Sequence, residues 1–189
     1  MADGKSVYSI DGKHYMSEYK WLSLCAVIPL TTIPTEICGL RIVGIPSCRT
    51  PIFYGHITDM VNDGIQADVL VMHDAVAELS NFKGTELSGE SIADAIKPIG
   101  IKTVLMGHIH EPGSKNIKGV VFTYPGSTEM KSMDEPNQKG YIILDRDMNM
   151  ERVFINTRKV NIKYIKTPED IDVYTPELDA LNIIFIDST

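Results

Sequence analysis

Apolar residues in this chain gather into short unbroken runs. Val69-Leu-Val-Met72 and Thr103-Val-Leu-Met106 are the clearest. A run without polar alternation fits a strand covered on both faces. Each run ends in chemistry: the first passes into His73-Asp74, the second into Gly107-His-Ile-His110. Between them, Ser88 to Ile96 has a helical apolar pattern, with Ser88 or Ser91 near its cap and Pro98-Ile-Gly100 ending it. The pattern predicts a β-α-β unit, Asp68–His73, helix, Lys102–His110, with the histidines at one end. An extended backbone repeats every two residues, so His108 and His110 are expected on the same side.

The flanking pattern is mostly β. Met1 to Tyr19 has no period and reads as loop, and Glu18 to Leu24 as a short, weakly amphipathic helix. Val27-Ile28 and Ile33 to Ile37 read as strands, the latter forming a hairpin with Leu40–Ile45 around Cys38-Gly39. Ile52 to Asn62 carries a helical stripe stopped by Asn62-Asp-Gly64. Glu111 to Asn116 reads as a turn, Gly119 to Tyr124 as a strand broken by Pro125-Gly126, and Met130 to Lys139 as a charged loop. Gly140–Asp145 and Arg152–Asn156 form a hairpin across Arg146 to Asn149. Asn161–Ile165 and Asn182–Ile186 are the last strands, with a short helix expected at Thr167-Pro-Glu-Asp170.

Composition narrows the function classes. With 189 residues, one domain with the start of a second is expected. No apolar run approaches the roughly 18–20 residues of a membrane span, and no basic segment precedes Trp21–Leu30, so neither a span nor a secretory signal is expected. Cys25, Cys38 and Cys48 lack a Cys-x-x-Cys spacing and read as reduced thiols of a cytoplasmic protein. The net charge of −7 argues against a surface that grips nucleic acid everywhere. Such a chain must hold DNA locally, with Lys115, Lys118 and Lys131 as loop candidates, rely on metals, borrow charge from a partner, or not bind DNA at all. His73, His108 and His110 at two strand ends make a candidate metal site, because imidazole suits borderline cations such as Zn, Mn or Fe. His14 and His56 read as surface or packed residues.

Val69-Leu-Val-Met-His73, Leu105-Met-Gly-His-Ile-His110-Glu-Pro, Tyr124-Pro-Gly-Ser-Thr-Glu129 and Lys139-Gly-Tyr-Ile-Ile-Leu together resemble the calcineurin-like metallophosphoesterases. Within them the chain is most similar to the SbcD-type DNA-repair nucleases, including phage recombination nucleases. Pro34 to Pro46 resembles the strand pair those nucleases place before the motif matching His73. The resemblance spans about residues 25–156. It implies an α/β fold, part of a four-layer α-β-β-α sandwich. It also implies a division at 1–156 and 157–189, the latter resembling the start of a capping domain. Two divalent cations, Mn²⁺ first among them, would hold a phosphodiester and activate a water. His73 and His108 would serve one ion and His110 the other, with the Gly126-Ser127 turn beside them. Implied partners are DNA, an SbcC-like ATPase and a second copy of the completed enzyme.

The family pattern is only half present. Asp-x-His on a first strand, the bridging Asp of Gly-Asp, and Gly-Asn-His-Asp do not occur in the sequence. The chain therefore resembles the C-terminal part of such an enzyme, lacking the N-terminal strands. It reads as one subunit of a split nuclease completed by a complementary N-terminal half, or as a truncated frame or excised piece. Other readings are a fragment of a metallophosphoesterase acting on small phosphodiesters or phosphoproteins, and a non-catalytic scaffold subunit.

Overall fold

A computed structural model describes residues 6–10, 27–80, 87–130, 135–136, 138–167, 170 and 174–186. The chain is mixed α/β. Its strands are β1 (Val7–Ser9), β2 (Val27–Pro29), β3 (Thr35–Ile37), β4 (Leu40–Ile45), β5 (Val69–His73), β6 (Thr103–Gly107), β7 (Gly113–Ile117), β8 (Val120–Tyr124), β9 (Lys139–Leu144), β10 (Met150–Ile155), β11 (Lys159–Ile165) and β12 (Ala180–Ile186). The helices are α1 (Thr50–Asn62) and α2 (Gly89–Ile96).

Six strands form the central sheet, in the order β3-β4-β5-β6-β8-β7. Strands β4, β5, β6 and β8 run parallel, and antiparallel β3 and β7 close the edges. The β5-α2-β6 unit is present, with His73 in register with Gly107. The hairpin at Cys38-Gly39 is present too, with both turn residues at positive φ (52° and 84°). Arg41 ties it to β5: its Nε and Nη2 donate to Asp68 at 3.1 and 2.9 Å, and its backbone N–H donates to Asp68 Oδ2 at 2.8 Å.

One sheet face carries the core. Val43, Ile45, Leu70, Met72, Val104, Met106 and Phe122 alternate onto that face, where Phe53, Ile57 and Met60 of α1 and Ile92 and Ile96 of α2 cover them. Full burial stabilises each large side chain by about 1.5–3 kcal/mol. Ser88 caps α2 by accepting from the Ser91 N–H at 3.3 Å. Glu78 adds carboxylate oxygens to the Gly89 and Glu90 N–H groups at 2.8 and 3.2 Å.

The opposite face is less complete. Val69 and Thr103 are buried there, but Val71, His73, Leu105 and Gly107 are half-buried. These strands are thus closed by helices on one side and only partly covered on the other, which corrects the expectation of two covered faces. A cleft of about 400 Å³ lies along the open face, between Val71, Leu105 and the β9 residues Tyr141, Ile142 and Leu144.

Other expectations shift. The segment predicted as a turn after His110 holds strand β7, and the predicted N-terminal loop holds β1, which pairs parallel with β2. Strand β7 is an edge strand joined to β8 through Lys118-Gly119; of its residues only Ile117 enters the core, too little to print an apolar pattern. β9 and β10 form a separate antiparallel pair, and β11 and β12 a separate parallel one. The expected helix at 18–24 lies outside the described residues, as do His14, Cys25, Lys131 and most of the segment around Thr167. Cys38 and Cys48 are free thiols. Among the described residues no helix is long and apolar enough to cross a membrane.

Candidate functional site

Parallel pairing of β5 with β6 puts the two histidine-bearing strand ends side by side. His73 closes β5 directly opposite Gly107. A Cβ on Gly107 would sit 2.6 Å from His73 Nδ1, so only glycine lets the His73 ring lie against β6 here. His108 follows at φ 90°, a left-handed conformation that costs a non-glycine residue energy. That reversal brings the rings of His73 and His108 to 5.6 Å between centroids, at 57°. His73 and Gly107 line the inner end of the open-face cleft.

His110 takes a different partner. β6 ends at Gly107, so the two-residue period expected to align His108 with His110 stops before either residue. His110 Nδ1 lies 2.6 Å from Glu135 Oε1, leaving Nε2 as its outward nitrogen. A carboxylate on one ring nitrogen fixes the orientation, and the tautomer, of the imidazole. Glu135 is itself held: Lys139 Nζ donates to its Oε2 at 2.5 Å and Ser127 Oγ donates to the same oxygen at 2.9 Å. Lys139 also donates to Ser127 Oγ at 2.8 Å. The Lys139 side chain is 1% exposed and that of Glu135 7%, whereas that of His110 is 47% exposed. A buried ion pair therefore braces a half-exposed imidazole.

The Pro-Gly-Ser turn completes the frame. The Ser127 N–H donates to the His110 carbonyl at 3.1 Å, and Gly126 packs against that carbonyl and Pro112. Tyr124 reaches back to the loop after His73. Its hydroxyl donates to the Asp74 carbonyl at 2.8 Å and accepts from the Val76 N–H at 2.9 Å. Burial pushes the nearby Cys48 thiol above its ordinary pKa, and Asp74 adds to this.

Of the three histidines the sequence singles out, the fold pairs His73 with His108 and engages His110 through Glu135. Among the described residues no three His, Cys, Asp or Glu side chains gather as a group that could hold a metal. Imidazole nitrogens fit a borderline cation, but nothing here offers a carboxylate between two such ions. Of the lysines expected at DNA, Lys115 and Lys118 are committed within the chain, and Lys131 lies outside the described residues. Lys118 Nζ lies 2.6 Å from Asp94 and 3.7 Å from Glu90, and Lys115 donates to the Glu78 carbonyl at 3.4 Å.

Glu135 was not visible as a site residue from sequence. It falls in a charged stretch that reads as solvated loop, and its link to His110 spans 25 positions. Lys139 was visible only as part of the Lys-Gly motif, with nothing to mark it as buried. No protein-family model matches the chain, and no curated protein matches it significantly.

Proposed function

We propose that this chain is the C-terminal portion of a two-metal DNA nuclease of SbcD type, active once a complementary N-terminal half supplies the missing carboxylates. One observation carries the reading. The motifs Gly107-His-Ile-His110, Tyr124-Pro-Gly-Ser127 and Lys139-Gly140, far apart in sequence, meet at Ser127, which bonds the His110 carbonyl and the Lys139 ammonium. The half-covered sheet face beside them adds support, because a four-layer sandwich has a second β-layer there.

In this reading His73, His108 and His110 are the nitrogen ligands of two divalent cations, Mn²⁺ first among them. Glu135, Lys139 and Ser127 hold His110 in place. The substrate is DNA, the setting repair or recombination in the cytoplasm, and the partners an SbcC-like ATPase and a second copy of the completed enzyme.

The test is reconstitution. The chain mixed with a complementary half should cleave DNA ends with Mn²⁺ and act poorly on a small chromogenic phosphodiester. His73→Ala and His108→Ala should abolish cleavage while assembly persists; cleavage surviving in either variant breaks the assignment. Gly107→Ala should push the His73 ring aside and lower turnover by about 10²-fold, the scale of a misplacement near 1 Å. Assembly without cleavage of any phosphodiester would favour a scaffold subunit.

A further inference from the structure

Arg152, on β10, is only half accounted for by the chain's own contacts. Its Nη1 donates to the Pro125 carbonyl at 2.7 Å. Its Nε and Nη2 are buried and meet no acceptor among the described residues. These two nitrogens lie on one edge of the planar guanidinium, the edge that receives two oxygens of an anion side by side. A buried cationic edge without an acceptor is costly, and a bound anion removes that cost.

The surroundings name the anion. Arg152 lines a cleft of about 500 Å³ between the β7–β8 pair and the β9–β10 hairpin, within the usual size range of small-molecule sites. Ser114 and Gln138 add polar groups, and Met150 and Phe154 an apolar wall. Phe154 is 61% exposed, and its ring centroid lies 5.2 Å from the Arg152 guanidinium carbon. The guanidinium lies over one face of this exposed ring, and a cationic fork stacked on an exposed aromatic suits a ligand that carries both phosphate and a flat base. In a chain of net charge −7, only a local fork of this kind would draw such an anion.

We propose that this cleft is a nucleotide subsite, in which the Arg152 guanidinium, turned so that its now closed Nε and Nη2 edge meets the cleft, holds a phosphate and Phe154 carries the attached base. The proposal rests on the nuclease reading only in giving that phosphate to a DNA strand. The cleft adjoins the candidate site through Pro125, two positions before Ser127.

The test uses the full chain in EDTA, so it does not depend on cation chemistry or on cleavage. The Arg152 side-chain N–H signal and the Ser114 and Gln138 amides are followed by NMR. Inorganic phosphate, a deoxynucleoside 5′-monophosphate, a short single strand and acetate are titrated separately. The monophosphate should move all three signals. Arg152→Lys keeps the charge but loses the fork and should weaken binding at least about tenfold. Phe154→Ala should weaken the monophosphate and leave inorganic phosphate unchanged. Matching shifts with the strand assign the subsite to nucleic acid, while shifts with the monophosphate alone assign it to a free nucleotide. Unaltered binding by a folded Arg152→Met variant overturns the proposal. So do acetate binding as tightly as phosphate, or no movement with any phosphate, as when water alone satisfies the edge. If Arg152→Met does not fold, the Lys and Phe154→Ala variants decide. A reconstituted enzyme that fails to cleave DNA leaves this result standing.

Discussion

The two faces of the central sheet are made by the same four parallel strands, yet they differ in kind. On the helix side, Leu70, Val104 and Phe122 are each 0% exposed and belong to one continuous core. On the other side, Val71 and Leu105 look into a cleft. The open face mixes Val69, Val71 and Leu105 with Thr103, Thr123, His73 and Gly107, whereas the closed face is wholly apolar, so residue type and covering layer change together. A protein tends to leave apolar sheet surface open where something else is meant to sit. The candidate site lies at the end of that half-covered face.

The contrast can be broken by mutation. Phe122→Ala on the closed face should destabilise the chain by about 3–5 kcal/mol in denaturant unfolding, while Leu105→Ala should cost about 1 kcal/mol. Equal losses would mean the two faces are equally packed. On the proposed reading, binding of a complementary half should raise the Leu105 cost toward that of Phe122. Without it, the chain should self-associate in sedimentation, and addition of the half should reverse this. The isolated chain should also bind Mn²⁺ only weakly, so calorimetry showing two cations held at millimolar or tighter affinity would contradict the incomplete donor set.

Lys139→Met tests the brace at the site. It leaves the Glu135 carboxylate buried without its cation and should cost about 3 kcal/mol, the scale for breaking a buried pair. The loss should come with a changed His110 ring signal in NMR; an unchanged signal would separate the ion pair from the imidazole.

The smallest effects lie at the margins of the closed face and depend on pH. Side-chain hydrogen bonds from Arg41 hold the Asp68 carboxyl below its ordinary pKa, against desolvation. Burial pushes Glu78 up, but the N–H groups of Gly89 and Glu90 and the Ser88 hydroxyl outweigh it, and the net shift is downward. Both carboxylates therefore contribute stability above their unfolded pKa values, and lose it as pH falls through the lower folded ones. Unfolding free energy should decline below about pH 4. Glu78→Gln should flatten that decline and cost about 1 kcal/mol at neutral pH, as for other helix caps. Asp68→Asn should cost at most about 1 kcal/mol, because that pair is exposed.

The parallel strands, both helices and three hairpin pairings or turns could be read from sequence because burial and turns leave marks. Val69–Met72 and Thr103–Met106 are apolar because they are interior; Cys38-Gly39 and Asn62-Asp-Gly64 punctuate the chain. β7 left no mark, since in Gly-Ser-Lys-Asn-Ile only Ile117 reaches the core and the rest faces outward. The meeting of His73 and Gly107 followed from parallel pairing. The separate engagement of His110 did not, because it depends on the backbone reversal at His108 and on a glutamate 25 positions away.

Tyr124 has a consequence beyond the bonds it makes. Its hydroxyl fastens the loop after β5 to the end of β8, with β6 and its histidine between them. Loops at the carboxyl ends of a parallel sheet ordinarily move independently, and each must be frozen anew when a ligand arrives. Here that conformational entropy is surrendered during folding, so the strand ends meet an incoming ligand already set, and a Tyr124→Phe chain would meet it with the two loops uncoupled.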